Sequence, residues 1–255
     1  MTDHILTSQE GAILRIQINR PDKKNALKST MYRALADALV LADSERSIRV
    51  VFITGTDDSF TSGNDLMDFV NARPADEASP VIDFLQAIST LETPVVAAVN
   101  GVAVGVGTTM LLHCDLVYAA ADARFQLPFV NLALVPEAAS SYLLPQQIGY
   151  QRAAELLLLG DMFDADKAKE AGFVNEIVAP ESLQVYAWEK AEALAQKAPE
   201  ALRLTKKLLK QGNAHIVAET IQAELEVFRE RLQSPEAMEV MQAFMARRPP
   251  DFSKL

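Results

Sequence analysis

Residues 93–114 read TPVVAAVNGVAVGVGTTMLLHC, a stretch without a single Asp, Glu, Lys or Arg. Its length satisfies the rule for a membrane span, but its content does not. Pro94, Asn100, Gly101, Gly105, Gly107, Thr108 and Thr109 interrupt it, and acids rather than cations flank it at Glu92 and Asp115. The segment reads as a buried strand over 95–99, a turn, and a buried helix from Gly105 to His113, with no membrane span. Upstream, Ala12, Leu14, Ile16 and Ile18 alternate with polar neighbours and predict a half-buried strand ending at Arg20-Pro21. Ser29 is expected to cap a helix through about Leu41, and Arg49 to Gly55 (RVVFITG) forms a second buried strand. Ser79-Pro80 opens a helix that ends near Glu92-Thr93-Pro94, and Asp115 to Ala119 follows as a strand. Strands alternating with helices favour a parallel sheet with crossover helices.

Past Gln146 the pattern changes. Residues 150–159, 164–171, 181–197, 199–211 and 214–246 all carry helical periodicity, with only Val174 to Val178 reading as a strand. The chain is therefore expected to be an α/β core over residues 1–195 followed by a helical region over 196–255. Apolar positions such as Leu225, Phe228 and Leu232 form stripes on the last helices. Packing on a partner subunit and packing back on the core are both open for them.

The 255 residues are 49% hydrophobic and 23% charged, the balance of a globular chain able to bury a full core. With 24 basic and 34 acidic residues the net charge is −10 and the pI about 4.9, which argues against nucleic acid as a partner. The single cysteine, Cys114, forms no internal disulfide, and three scattered histidines (His4, His113, His215) make no metal cluster. The N-terminal Met-Thr-Asp-His lacks the basic region of a secretory signal. A cytoplasmic protein is the expectation. The C-terminal Ser253-Lys254-Leu255 would instead be a peroxisomal address in a eukaryote.

Gly105-Val-Gly107 has Met110 where a dinucleotide fingerprint needs its third glycine, and Ser140-Ser141 has no glycine on either side to make a nucleophile elbow. Two glycine-bearing turns remain, Ser62-Gly63-Asn64-Asp65-Leu66 and Gly105-Val106-Gly107-Thr108, each leading toward a helix. Converging helix N-termini would form an oxyanion hole; ordinary glycine turns are the other reading. Between Asp122 and Glu155 the only carboxylate is Glu137, in a largely apolar neighbourhood. Burial would raise its pKa toward that of a general base, whereas exposure would make it a first-turn acid after Pro136. Basic residues gather at Arg20, Lys23, Lys24 and Lys28, and again at Arg203, Lys206, Lys207 and Lys210 on one helical face. Each set is either a solvated face or a receiver of phosphates.

Several segments, taken in order, resemble the crotonase (enoyl-CoA hydratase/isomerase) superfamily. They are Asn19-Arg-Pro-Asp-Lys-Lys-Asn-Ala-Leu27, Phe60-Thr-Ser-Gly-Asn-Asp-Leu66, Pro94-Val-Val-Ala-Ala-Val-Asn-Gly101, Val104-Gly-Val-Gly, Cys114-Asp-Leu-Val-Tyr118, Ala123-Arg-Phe125, and Leu159-Gly followed by Ala168 to Val174. The resemblance implies a spiral core of ββα turns, C-terminal helices that build a homotrimer or a dimer of trimers, and an acyl-CoA thioester as substrate. CoA would be part of that substrate, with no separate cofactor and no metal. It further implies substrate contacts at Lys23, Lys24, Ala26, Ser62, Gly63, Asn64, Asp65, Leu66 and Val106.

Hydratases of this family carry one glutamate in the helix after the glycine turn and another after a Phe-x-x-Pro segment. Here those positions read Thr109 and Phe129. Pro136-Glu-Ala-Ala-Ser-Ser-Tyr142 instead resembles the Δ3,Δ2-enoyl-CoA isomerases, whose single catalytic glutamate matches Glu137. The resemblance thus implies an isomerase, with Glu137 as base and the N–H groups of Asn64 and Val106 as oxyanion donors. Asp65 and Asp68 are the fallback acids. A hydratase or other crotonase-type lyase, and a non-catalytic acyl-CoA-binding protein, are the alternatives.

Overall fold

The computed structural model of the chain describes residues 4–56, 58–65 and 79–254. Among them lie the strands β1 (Ile5–Glu10), β2 (Ile13–Ile18), β3 (Val50–Thr54), β4 (Ser59–Thr61), β5 (Val95–Val99), β6 (Val102–Val104), β7 (Leu116–Ala120), β8 (Arg124–Gln126), β9 (Phe163–Asp164) and β10 (Glu176–Val178). Six form a large sheet in the order β1-β2-β3-β5-β7-β10, parallel except for the β1–β2 hairpin. The other four form a small sheet, β4-β6-β8-β9, with only the β8–β9 pair antiparallel. Every residue of β3 and β5 is buried, as their unbroken apolar runs demand of strands covered on both faces.

The helices are α1 (Ser29–Ser44), α2 (Pro80–Thr90), α3 (Val106–Thr109), α4 (Ser140–Ile148), α5 (Tyr150–Ala154), α6 (Ala165–Glu170), α7 (Leu183–Ala195), α8 (Pro199–Gln211), α9 (Ala214–Leu232) and α10 (Pro235–Met245). Three times, a long strand of the large sheet hands the chain to a short strand of the small one (β3-β4, β5-β6 and β7-β8), and after the second and third a helix follows, α3 and α4. This is the expected spiral of ββα turns. The handover from β5 to β6 turns on Gly101, where φ is +58 and a Cβ would sit 1.6 Å from the Asp58 carbonyl oxygen. Only glycine lets one round pass so close under the previous one.

The core is one continuous cluster. α1 and α2 pack with Tyr32 against Phe84 (ring centroids 5.5 Å), and α7 lies on the large sheet with Trp188 edge-on to Phe52 (5.2 Å). The uncharged stretch 93–114 is buried strand, turn and helix, and among the described residues no helix is long and apolar enough to cross a membrane.

Several sequence expectations change. Ser29 is the first helical residue of α1 rather than its cap, which is Lys28, and the helix runs on to Ser44. The expected helix over 214–246 is two: α9 ends at Leu232, and Ser234 caps α10 by accepting the Ala237 N–H at 3.1 Å, with Pro235 at its first position. β1, α4 and the whole small sheet carry no pattern in the sequence that marks them. The stripe on α9 packs back on the core through Phe228, with Leu225 and Leu232 against it, while Leu204, Leu208, Leu209, Phe244 and Met245 on α8 and α10 are exposed.

The second basic set is also corrected. Arg203, Lys206 and Lys210 do share a face of α8, but that face is turned inward. Lys206 is 4% exposed, its Nζ 2.7 Å from Asp115 Oδ2 and 2.8 Å from the Thr93 carbonyl. Arg203 faces Asp43 and Glu92 at 3.8 and 3.6 Å, Lys207 reaches Glu92 at 3.2 Å, and Lys210 donates to the His113 carbonyl at 3.1 Å. The cluster holds α8 to the edge of the core instead of receiving phosphate. Lys206→Met keeps the stem but leaves Asp115 without its cation. It is expected to lower the unfolding free energy by about 3 kcal/mol in urea titrations.

Candidate active site

A cavity of about 850 Å³ opens where the carboxyl ends of the short strands meet. β4 runs into Ser62-Gly63-Asn64-Asp65, β6 into Gly105-Val106, and β8 into the segment from Gln126 to Leu134; all three segments contribute to its wall. Glu137 lines it from the loop before α4, and Phe228 of α9 and Phe244 of α10 supply apolar cover.

The two glycine turns do converge. The Leu27 N–H donates to the Gly63 carbonyl (2.8 Å) and the Asp65 N–H to the Leu27 carbonyl (2.9 Å), one bridge of a parallel ladder. Because successive amides point to opposite edges of a strand, this bridge turns the Asn64 N–H away from Leu27, on a residue that lines the cavity. Across from it, Gly105 has φ +56 and ψ −119, a conformation that side-chain-bearing residues resist. It lets the chain leave β6 and start α3 at once. The Thr108 and Thr109 N–H groups both donate to the Gly105 carbonyl at 2.9 Å, so the Val106 N–H stands at the first helical position, where no intrahelical acceptor exists. Two backbone donors at the wall of a mostly apolar cavity are suited to an oxygen that gains negative charge.

Glu137 is 5% exposed, and its Oε1 is buried with no hydrogen-bond partner among the described residues. Burial, and then the charge of Glu224, push its carboxyl up to about 8. Burial also raises the Tyr32 hydroxyl well above its ordinary range, with the charge of Glu137 adding to it. Tyr32 donates this hydroxyl to Asn64 Oδ1 at 2.5 Å, which ties the side chain of a residue in the cavity wall to the core. The other acid at the wall is differently placed. Asp65 Oδ2 lies 2.7 Å from Arg20 Nη1 in a buried pair, and the same Nη1 donates to the Ala26 carbonyl at 2.9 Å.

Of the first basic set, Arg20, Lys23 and Lys28 line the cavity together with Ala26, while Lys24 turns to Asp58 at 4.0 Å across an exposed surface. Ser62 donates to the Lys23 carbonyl at 3.4 Å and so joins the two segments. Leu66 and Asp68 lie outside the described residues. Thr109 is fully buried and Phe129 lines the cavity, so neither position where the resembled hydratases carry glutamate provides a carboxylate.

Tyr32 and Glu224 belong to no motif in the sequence, and His113 figures there only as one of three scattered histidines. Tyr32 reads as one more apolar residue on the buried face of α1. Glu224 did carry a signal, because an acid between Ile221 and Phe228 falls on the apolar stripe of its helix instead of the solvent face.

A family model described as enoyl-CoA hydratase/isomerase matches residues 8–254. Enoyl-CoA delta isomerase 2 of Rattus norvegicus is 34% identical over 251 residues, with 96% of this chain covered; the chain spans 64% of that relative's length. The 2,3-dehydroadipyl-CoA hydratase of Escherichia coli (strain K12) is 30% identical over 249 residues, covering 97% of this chain and 98% of its own. The crystal structure of an enoyl-CoA hydratase/isomerase from Pseudoalteromonas atlantica T6c superposes with a TM-score of 0.95 at 43% identity, covering 98% of this chain and 100% of that one.

Proposed function

Since the chain belongs to the enoyl-CoA hydratase/isomerase family, we propose that it shifts the double bond of a 3-enoyl-CoA thioester to give trans-2-enoyl-CoA, with Glu137 carrying the proton. The observation that carries this reading is the number of usable acids. Among the described residues the cavity wall has two carboxylates, and Asp65 is committed to Arg20, which leaves Glu137. Water addition in the manner of the resembled hydratases uses two glutamates, and Thr109 and Phe129 stand at those positions.

One base suffices for the isomerisation. Glu137 takes a proton from C2 of the substrate, and the electron pair delocalises over the diene onto the thioester oxygen. The Asn64 and Val106 N–H groups hold that dienolate oxygen, a contribution on the order of 3 kcal/mol for each donor in comparable sites. The protonated Glu137 then returns the proton to C4. The shift involves no net oxidation, and CoA enters only as part of the substrate. Lys23 and Lys28 supply positive charge at the cavity, in keeping with the phosphates of CoA, and Lys24 lies on the same segment. The reading includes assembly as a homotrimer or dimer of trimers, supported by the exposed Leu204, Leu208, Leu209, Phe244 and Met245, which light scattering at micromolar concentration tests by giving at least three times the mass of one chain.

Glu137→Gln keeps the size of the side chain but cannot take a proton. Steady-state assays with a 3-enoyl-CoA are expected to show kcat reduced by about a thousandfold or more, with KM changed little. The working form is the carboxylate, so activity is lost as pH falls; in the wild type kcat/KM should rise with pH through an apparent pKa near 8 and level off above it. A variant that isomerises at the wild-type rate removes Glu137 from the mechanism, and efficient hydration of 2-enoyl-CoA by the wild type would favour the hydratase reading. The double variant Lys23→Ala, Lys24→Ala is expected to weaken acyl-CoA binding about tenfold by calorimetry while kcat at saturation stays within twofold.

A further inference from the structure

Glu137 stands next to backbone that does not hold itself. Ala138 and Ala139 both take left-handed conformations, with φ +60 and +56, although neither is glycine. Side-chain-bearing residues keep such a conformation only where their surroundings over-determine it. Two side chains with no place in the cavity wall do so here. Glu224, from the middle of α9, spans the turn: its Oε2 accepts the Ala139 N–H at 2.6 Å, and its Oε1 accepts the Ser141 N–H at 2.9 Å and the Ser141 hydroxyl at 2.5 Å. His113 lies 2.8 Å from the Ala138 carbonyl through Nε2. A carbonyl only accepts, so that nitrogen carries the hydrogen, and burial lowers the ring to about 4, which leaves it neutral.

We propose that Glu224 is a positioning residue for Glu137: by clamping the Ala139 and Ser141 amides it fixes the turn that directs the base into the cavity. The inference rests on the reading of Glu137 as the base. A buried acid is an expensive way to tie down two amides, since an amide or hydroxyl side chain accepts a hydrogen bond without the desolvation cost of a charge. Glu224 is 8% exposed, accepts three hydrogen bonds and donates none, which is the bonding pattern of a carboxylate. Its negative charge adds to burial in raising Glu137. One residue thus bears on both the direction of the base and, after burial, its proton affinity. The titratable groups bearing on Glu137 are Glu224 from α9 and Tyr32 from α1, with the neutral His113 on the adjoining carbonyl.

The test compares Glu224→Gln, Ser141→Ala and Glu137→Gln with the wild type, using trans-3-hexenoyl-CoA. Gln offers one acceptor oxygen where the carboxylate offers two, so at least one clamped amide loses its partner. Glu224→Gln is expected to lower kcat about tenfold or more while KM stays within twofold. The rising limb of its pH–rate profile should move to lower pH, because a neutral neighbour no longer opposes ionisation of Glu137. A purely structural role would lower the melting temperature without moving that limb. Ser141→Ala deletes only the hydroxyl donor and is expected to lower kcat about threefold; it keeps the question answerable if Glu224→Gln fails to fold. A Glu224→Gln enzyme with wild-type kcat and an unmoved limb, beside an inactive Glu137→Gln enzyme, overturns the positioning role and leaves the base intact. An active Glu137→Gln enzyme overturns the base itself. Crystals of Glu224→Gln with residues 137–141 in unchanged conformation overturn the clamp without reference to turnover.

Discussion

Parallel pairing among three very short strands is the constraint on which the site depends. β4, β6 and β8 lie side by side and run the same way, so their carboxyl ends open on one place. Ligands of open α/β sheets gather at such ends for the same reason. Here the segment after each strand is a piece of the cavity: Ser62 to Asp65, Gly105-Val106, and Gln126 to Leu134. Each of these three strands is fed by a longer, largely buried strand of the large sheet, and the handover at Gly101 works only because no Cβ stands between two crossing backbones. If that approach were blocked, the two amides of Asn64 and Val106 would have no reason to face the same space.

The electrostatics of the cavity follow from what surrounds it. Asp65 and Glu137 are both poorly exposed acids at one wall, yet they are opposite in kind. Arg20 satisfies Asp65 directly, so that carboxylate organises the loop beside the oxyanion donors. Glu137 has a buried oxygen without a partner among the described residues and, through Glu224, a negative neighbour. In stability terms that is a poor arrangement, because a buried polar atom without a partner forfeits its hydration. Perturbed acids of this sort concentrate where protons are moved.

Much of the architecture was legible because long elements announce themselves by repetition. The runs at 50–54 and 95–99, the stripes of α1 and α7, and the helical pattern of residues 199–211 are each long enough for periodicity to speak. The small sheet was not legible, since strands of two and three residues contain less than one useful repeat. β1 was missed for a different reason: five of its six residues are exposed, so no alternation marks it. The break at Ser234-Pro235 was readable as a cap followed by a first-turn proline, and the apolar stripe running through it masked the signal.

At the site the division is similar. Glu137, the two glycine turns and the basic residues around Lys23 were visible as residue types out of keeping with their neighbourhoods, and the order of the motifs pointed to the family. The sequence by itself therefore determined which groups are available for chemistry and which positions lack an acid. Only the tertiary structure decided how those groups are disposed. It paired Asp65 with Arg20, turned the basic face of α8 inward onto Asp115, and brought Glu224, from 87 positions further along the chain than Glu137, onto the turn beside it. The reason is physical: ionisation, strain and direction are properties of a surrounding, and in this fold the surroundings of each acid are assembled from segments that periodicity and composition cannot connect.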